Sequence, residues 1–87
     1  MPSKVLPKLN VRTRRAIAGI GEQIRVAREA AGVSQETLAK KIGMTRTNYA
    51  RIEHGGSNAT IETLIRVADG LDLEFSFVLE QRPRGRR

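Results

Sequence analysis

Three times in this chain a glycine is followed within five residues by a Ser or Thr and then by a helix-compatible run: Gly32-Val-Ser34, Gly43-Met-Thr45 and Gly55-Gly-Ser-Asn-Ala-Thr60. Glycine tolerates the left-handed backbone that ends a helix, and a Ser or Thr hydroxyl accepts from the free N–H groups of the next first turn. This punctuation divides most of the chain into short helices. Helices of two or three turns are not stable in isolation, so they must gain stability by packing on one another. A mainly helical body follows.

Apolar spacing fills in the segments. From about Thr13, the residues Ile17, Ile20, Ile24, Ala27, Arg28 and Ala31 recur every three or four positions and share one helical face. Gly19 and Gly21 weaken its middle, so either one helix or a short helix plus a longer one fits. Ser34 then caps a second helix with Leu38, Ala39 and Ile42 on its inner face. Thr45 caps a third that runs to about Glu53. Thr60 caps a fourth with Ile61, Leu64, Ile65, Ala68 and Leu71 inward, ending near Asp69-Gly70. The period then changes to two: Leu73, Phe75, Phe77 and Leu79 alternate with Glu74, Ser76, Val78 and Glu80, the pattern of a strand. The expected fold is mainly α, with four to five helices and one C-terminal strand.

Charge separates along the chain. The net +7 of the 87 residues is not spread evenly. Lys4, Lys8, Arg12, Arg14 and Arg15 precede any acid, and Arg82, Arg84, Arg86 and Arg87 close the chain, while residues 16–80 hold seven basic against nine acidic residues. Two basic ends on a slightly acidic body suit a polyanion, most simply nucleic acid, although charged ends also serve merely to solubilise a chain. There is no cysteine, hence no disulfide or thiolate metal site. One His, no clustered carboxylates and a "GIG" far short of a nucleotide loop argue against an enzyme, so no catalytic residue, metal or cofactor is expected. The N-terminus lacks the apolar segment of a secretory signal and no apolar run reaches membrane-spanning length, which gives a cytoplasmic, nucleoid-associated expectation.

The second and third helices, joined at Gly43 with small Ala39 at their crossing, describe a helix-turn-helix, though an αα-hairpin of any small helical domain shares these features. The third helix adds chemistry. At about 100° per residue, Asn48, Tyr49 and Ile52 fall on one side and Arg46, Thr47, Ala50 and Arg51 on the other. Arg46 and Arg51 can offer guanidinium forks to guanine edges or phosphates, Thr47 can meet a base edge or a thymine methyl, and Ala50 has no bulk to hold the helix away from a groove. A merely solvated face reads the same way.

With these residues in place, residues 21–73 resemble the Xre/phage-repressor type of helix-turn-helix domain. The carriers are the R-x-x-x-G-x-S-Q-x-x-L-A run from Arg28 to Ala39, the turn at Gly43, and R-I-E-x-G at 51–55. The resemblance implies base reading by Arg46, Thr47 and Arg51. It implies phosphate contacts from Gln35, Asn48 and His54, and an internal ion pair between Arg28 and Glu53. Tyr49 departs from the family's smaller aliphatic residue; its ring should pack inward, and its hydroxyl needs a partner or must reach the surface, where it could touch a phosphate.

A single strand has no partner within this chain. Strand 73–80 is therefore expected to pair with the same strand of a second copy, with Phe75, Phe77 and Leu79 forming the dimerisation face. A frayed tail, or a coil packed on its own helices, is the plainer alternative. A helix-turn-helix body followed by such a strand resembles the HipB-like and HigA-like antitoxins, which implies a homodimer that represses its own operon and binds a toxin. The expected organisation is a basic arm at 1–12, the DNA-binding domain at 13–72, a dimerisation strand at 73–81 and a basic tail at 82–87. The expected function is a sequence-specific repressor of a pseudo-palindromic operator, with an antitoxin role. A phage-type repressor or restriction-system controller, and a protein-interaction module without sequence-specific DNA binding, are the alternatives.

Overall fold

The computed structural model describes residues 11–56 and 59–81. The outer parts of the basic arm and the tail at 82–87 lie outside the described residues. Four helices run in order: α1 (Val11–Ala30), α2 (Gln35–Lys41), α3 (Arg46–Glu53) and α4 (Ile61–Gly70). The caps sit where the sequence places them. Ser34 Oγ accepts from the Thr37 N–H at 3.0 Å, Thr45 Oγ1 from Asn48 at 3.1 Å and Thr60 Oγ1 from Thr63 at 3.1 Å.

All four helices end in the same way. A residue with positive φ reverses the chain and the next N–H returns to a carbonyl five positions back, as in Met44 N–H to Ala39 O at 2.8 Å behind Gly43 (φ 77°). At the end of α4 that residue is Asp72 (φ 63°), with Leu73 N–H reaching Ala68 O at 2.8 Å. The helix ends at Gly70, where the sequence places its end, and the reversal follows two residues later. Gly70 is helical and serves packing: a Cβ there would lie 2.6 Å from Ile42 Cγ2 and 2.9 Å from Leu38 Cδ1. Lys41 Nζ donates to the Gly70 carbonyl at 2.9 Å, placing a cation on the negative end of α4.

The core is formed by Leu38, Ala39, Ile42, Tyr49, Ile52, Leu64 and Val67, with Ile24, Val33, Met44, Ala59, Leu71 and Phe75 packed around it. Two expectations fail on α4. Ile61 and Ile65 are 52% and 44% exposed, whereas Val67, not singled out by the spacing, is buried. The inward arc is centred on Leu64, Val67 and Leu71, and Ile61 and Ile65 lie about 60–100° away from it at 100° per residue. On α1 the two glycines do not break the helix, so there are four helices and not five. That helix already contains Val11 and Arg12. Ala31 lies beyond it and is exposed.

Residues 73–81 form neither a helix nor a ladder within the chain. Phe75 is half-buried against the core, and its ring centroid lies 6.4 Å from that of Phe77. Phe77 is 64% exposed, and Leu79 and Val78 more so, so the expected alternation does not divide these side chains into a covered and a solvated face within one chain. No helix among the described residues is long and apolar enough to cross a membrane.

Candidate nucleic-acid interface

The third helix is held by its inner face and leaves its outer face bare. Tyr49 (0% exposed), Ile52 and Glu53 point into the domain. Arg46, Thr47, Arg51 and His54 are exposed around a half-buried Ala50. These five occupy an arc of about 140° on the helical wheel. Neither arginine has an ion-pair partner among the described residues. Asn48, placed inward by the wheel, is exposed at the first turn, with its backbone N–H taken by Thr45.

What fixes the angle of this face is a buried polar cluster beneath it. Arg28 of α1 donates through Nε to Glu53 Oε2 at 2.6 Å and through Nη2 to Oε1 at 3.2 Å, a bidentate fork. Its Nη1 donates to the Val33 carbonyl at 2.7 Å. The Tyr49 hydroxyl donates to Glu53 Oε2, and Gln35 Nε2 at the start of α2 donates to Oε1 at 2.9 Å. One carboxylate therefore ties α1, α2 and α3 together, and no buried side-chain N or O among the described residues lacks a partner.

Burial alone would raise the Glu53 carboxyl, but the hydrogen bonds from Arg28, Tyr49 and Gln35 outweigh it and hold the group below the usual carboxylate range. The Glu53 hydrogen bond raises Arg28 against the opposing effect of burial. Burial, then the neighbouring carboxylate, pushes the Tyr49 phenol up, so it stays a donor at physiological pH. This settles the hydroxyl left open by the sequence. Tyr49 is sealed inside as a partner of Glu53 and cannot reach a phosphate.

The remaining rim residues are placed as follows. Gln35 sits at the first turn of α2 with one amide proton on Glu53; its amide carries a second that is free for an outside acceptor. His54 closes α3, with Nδ1 3.0 Å from the Ala50 carbonyl. A carbonyl only accepts, so Nδ1 carries the proton there. The sequence missed two backbone contacts that seat α1 on α3. A Cβ on Gly21 would meet the carbonyls of Ile52 and Glu53, the latter at 2.6 Å, and one on Gly55 would lie 2.9 Å from Ala18 Cα. The glycines were visible, but their approach depends on a crossing that no local pattern encodes.

The helix-turn-helix family profile matches residues 24–78, and the chain belongs to that family. Its relatives include the uncharacterized HTH-type transcriptional regulator y4dL of Sinorhizobium fredii, 40% identical over 55 residues (63% of this chain, 28% of that protein). The SPbeta prophage-derived regulator YonR of Bacillus subtilis is 30% identical over 60 residues (69% and 56%). The cryptic phage CTXphi transcriptional repressor RstR of Vibrio cholerae is 33% identical over 54 residues (62% and 48%). The match thus spans between 28% and 56% of the length of these relatives. Among solved structures, the restriction-modification controller protein C.AhdI from Aeromonas hydrophila superposes with a TM-score of 0.67 at 33% identity, over 69% of this chain and 91% of that one.

Proposed function

We propose that this chain is a sequence-specific DNA-binding transcriptional repressor that reads an operator through α3. The observation that carries the proposal is the outer face of α3: Arg46, Thr47 and Arg51 exposed around Ala50, on a helix braced from behind by the Arg28–Glu53 pair. Two unpaired guanidinium forks and a hydroxyl on a rigid helix match what major-groove edges offer. Gln35, Asn48 and His54 are the backbone-contacting rim.

We further assign the protein a homodimeric state. Ile20, Ile24, Leu64, Leu71 and Phe75 line an open groove of about 460 Å³ between α1, α4 and the C-terminal segment, with Phe77 at its edge. Leu79 lies 89% exposed further along that segment, beyond what an isolated small domain gains by leaving it in water. Pairing of residues 73–80 between two copies would cover this surface. Two of the named relatives are phage or prophage regulators and the similar solved structure is a restriction controller, which favours a phage-type or restriction-system repressor. An antitoxin role, with a toxin seated on the same C-terminal segment, is the second reading; it rests on that exposed apolar stretch alone.

The test is a panel of operator variants. Arg46→Ala and Arg51→Ala should each lose about 1–3 kcal/mol of affinity and flatten the preference at one base position. Gln35→Ala should weaken every sequence more evenly. Arginine variants that keep the wild-type ranking of operators would remove α3 as the reading element.

A further inference from the structure

Helix α1 is two helices in its electrostatics. From Glu22 onward its charges are matched: Arg25 bridges Glu22 and Glu29 at 2.5 and 2.8 Å, and Arg28 is committed to Glu53. Before Glu22 it carries Arg12, Arg14 and Arg15, all exposed, with no acidic residue in the first turn and no ion pair among the described residues. Cations in a first turn oppose the helix macrodipole and repel one another, so this arrangement weakens the helix that bears it. This stretch lies outside residues 24–78, which match the family. A local rule broken with no compensating ion pair among the described residues points to a function outside the fold.

The packing shows where these cations sit. Ala18 and Gly21 are the α1 residues whose backbones meet Gly55 and the carbonyls of Ile52 and Glu53. Arg14 precedes Ala18 by four residues and Gly21 by seven, so it shares their face of the helix, and Arg15 flanks it three residues from Ala18. At about 1.5 Å per residue, Arg14 projects roughly 6 Å beyond the Ala18–Gly55 contact, past the end of α3 where His54 is exposed. Arg12 lies about 160° around the wheel from Arg14 and about 60° from Arg15.

We propose that Arg14 and Arg15 form a phosphate clamp on the DNA backbone that flanks the bases read by α3, positioned by the Ala18–Gly55 and Gly21–Glu53 contacts. The inference rests on the DNA-binding reading above. It assigns to helix-borne side chains a role that a loosely tethered basic arm would otherwise fill. Arg12, of equal charge but on the side of the helix opposite Arg14, distinguishes a placed contact at Arg14 from general attraction.

The experiment measures binding against salt for two probes: the duplex that the full-length protein selects from a random library, extended by half a helical turn at each end, and a random-sequence duplex. Arg14→Ala and Arg15→Ala should each lower the log–log salt slope by about 0.9, and the double variant by about 1.8. Arg12→Ala should leave it near wild type. The selected sequence should not change, and the extra half-turn should cease to matter in the double variant. Its thermal midpoint should be equal to wild type or higher, because the macrodipole conflict is relieved, which excludes misfolding as the cause. A full slope in the double variant, or an Arg12 effect as large as that of Arg14, overturns the clamp. Selection of no sequence by the wild type would count against base reading by α3, yet the random duplex would still judge the clamp.

Discussion

At Glu53 three helices meet on the two oxygens of one side chain. Removing it leaves Arg28 buried and uncompensated, with Tyr49 and Gln35 short of an acceptor. Loss of one partner of such a pair costs about 3–5 kcal/mol, a large part of the stability of so small a domain. Glu53→Ala should therefore lower the melting midpoint sharply. The pH dependence has a definite sign. The folded carboxyl sits below its unfolded value of about 4.3, so its contribution is present above that pH and is lost as pH falls through the folded value. Thermal melts of the wild type should lose stability on that acid limb, and Glu53→Gln should start lower but show a shallower limb. An unchanged midpoint in Glu53→Ala would place the pair at the surface, where it is worth little.

At the scale of elements, the seat of α3 depends on how closely α1 approaches it. Gly19 and Gly21 are two residues apart and should respond oppositely to alanine. A Cβ at Gly19 meets nothing within 4 Å, so Gly19→Ala should stabilise by up to about 1 kcal/mol through helix propensity. A Cβ at Gly21 meets backbone carbonyls that cannot rotate away, so Gly21→Ala should cost about 1–3 kcal/mol and weaken DNA binding by tilting α3. Denaturant melts of the pair check this; equal and positive shifts would mean that the crossing is loose. The same two residues show what was legible beforehand. Helix caps at Ser34, Thr45 and Thr60, the turn at Gly43 and the exposed arginines of α3 are local signals, and the sequence displays them. The burial of Val67 over Ile61 and Ile65 and the packing role of Gly70 arise from helix crossings. Spacing alone cannot tell a glycine that ends a helix from one that lets another helix approach. The Arg28–Glu53 pair, 25 positions apart, became visible through family resemblance and not through any local pattern.

For the whole molecule, the proposed reading requires two copies: two recognition helices related by a two-fold axis would read an inverted repeat with half-sites about 34 Å apart. Linking two half-sites raises affinity through effective concentration, without new contacts. The exposed Phe77 and Leu79 are the side chains that a second copy would cover. The most direct measurement is therefore selection of binding sites from a random duplex library by the wild type and by Phe77→Asp, with the sedimentation of each recorded alongside. The wild type should sediment as a dimer and enrich an inverted repeat of that spacing. Phe77→Asp should sediment as a monomer and bind single half-sites weakly. A wild-type monomer, or a dimer that enriches no sequence, would contradict the account of this chain as a dimeric reader of DNA.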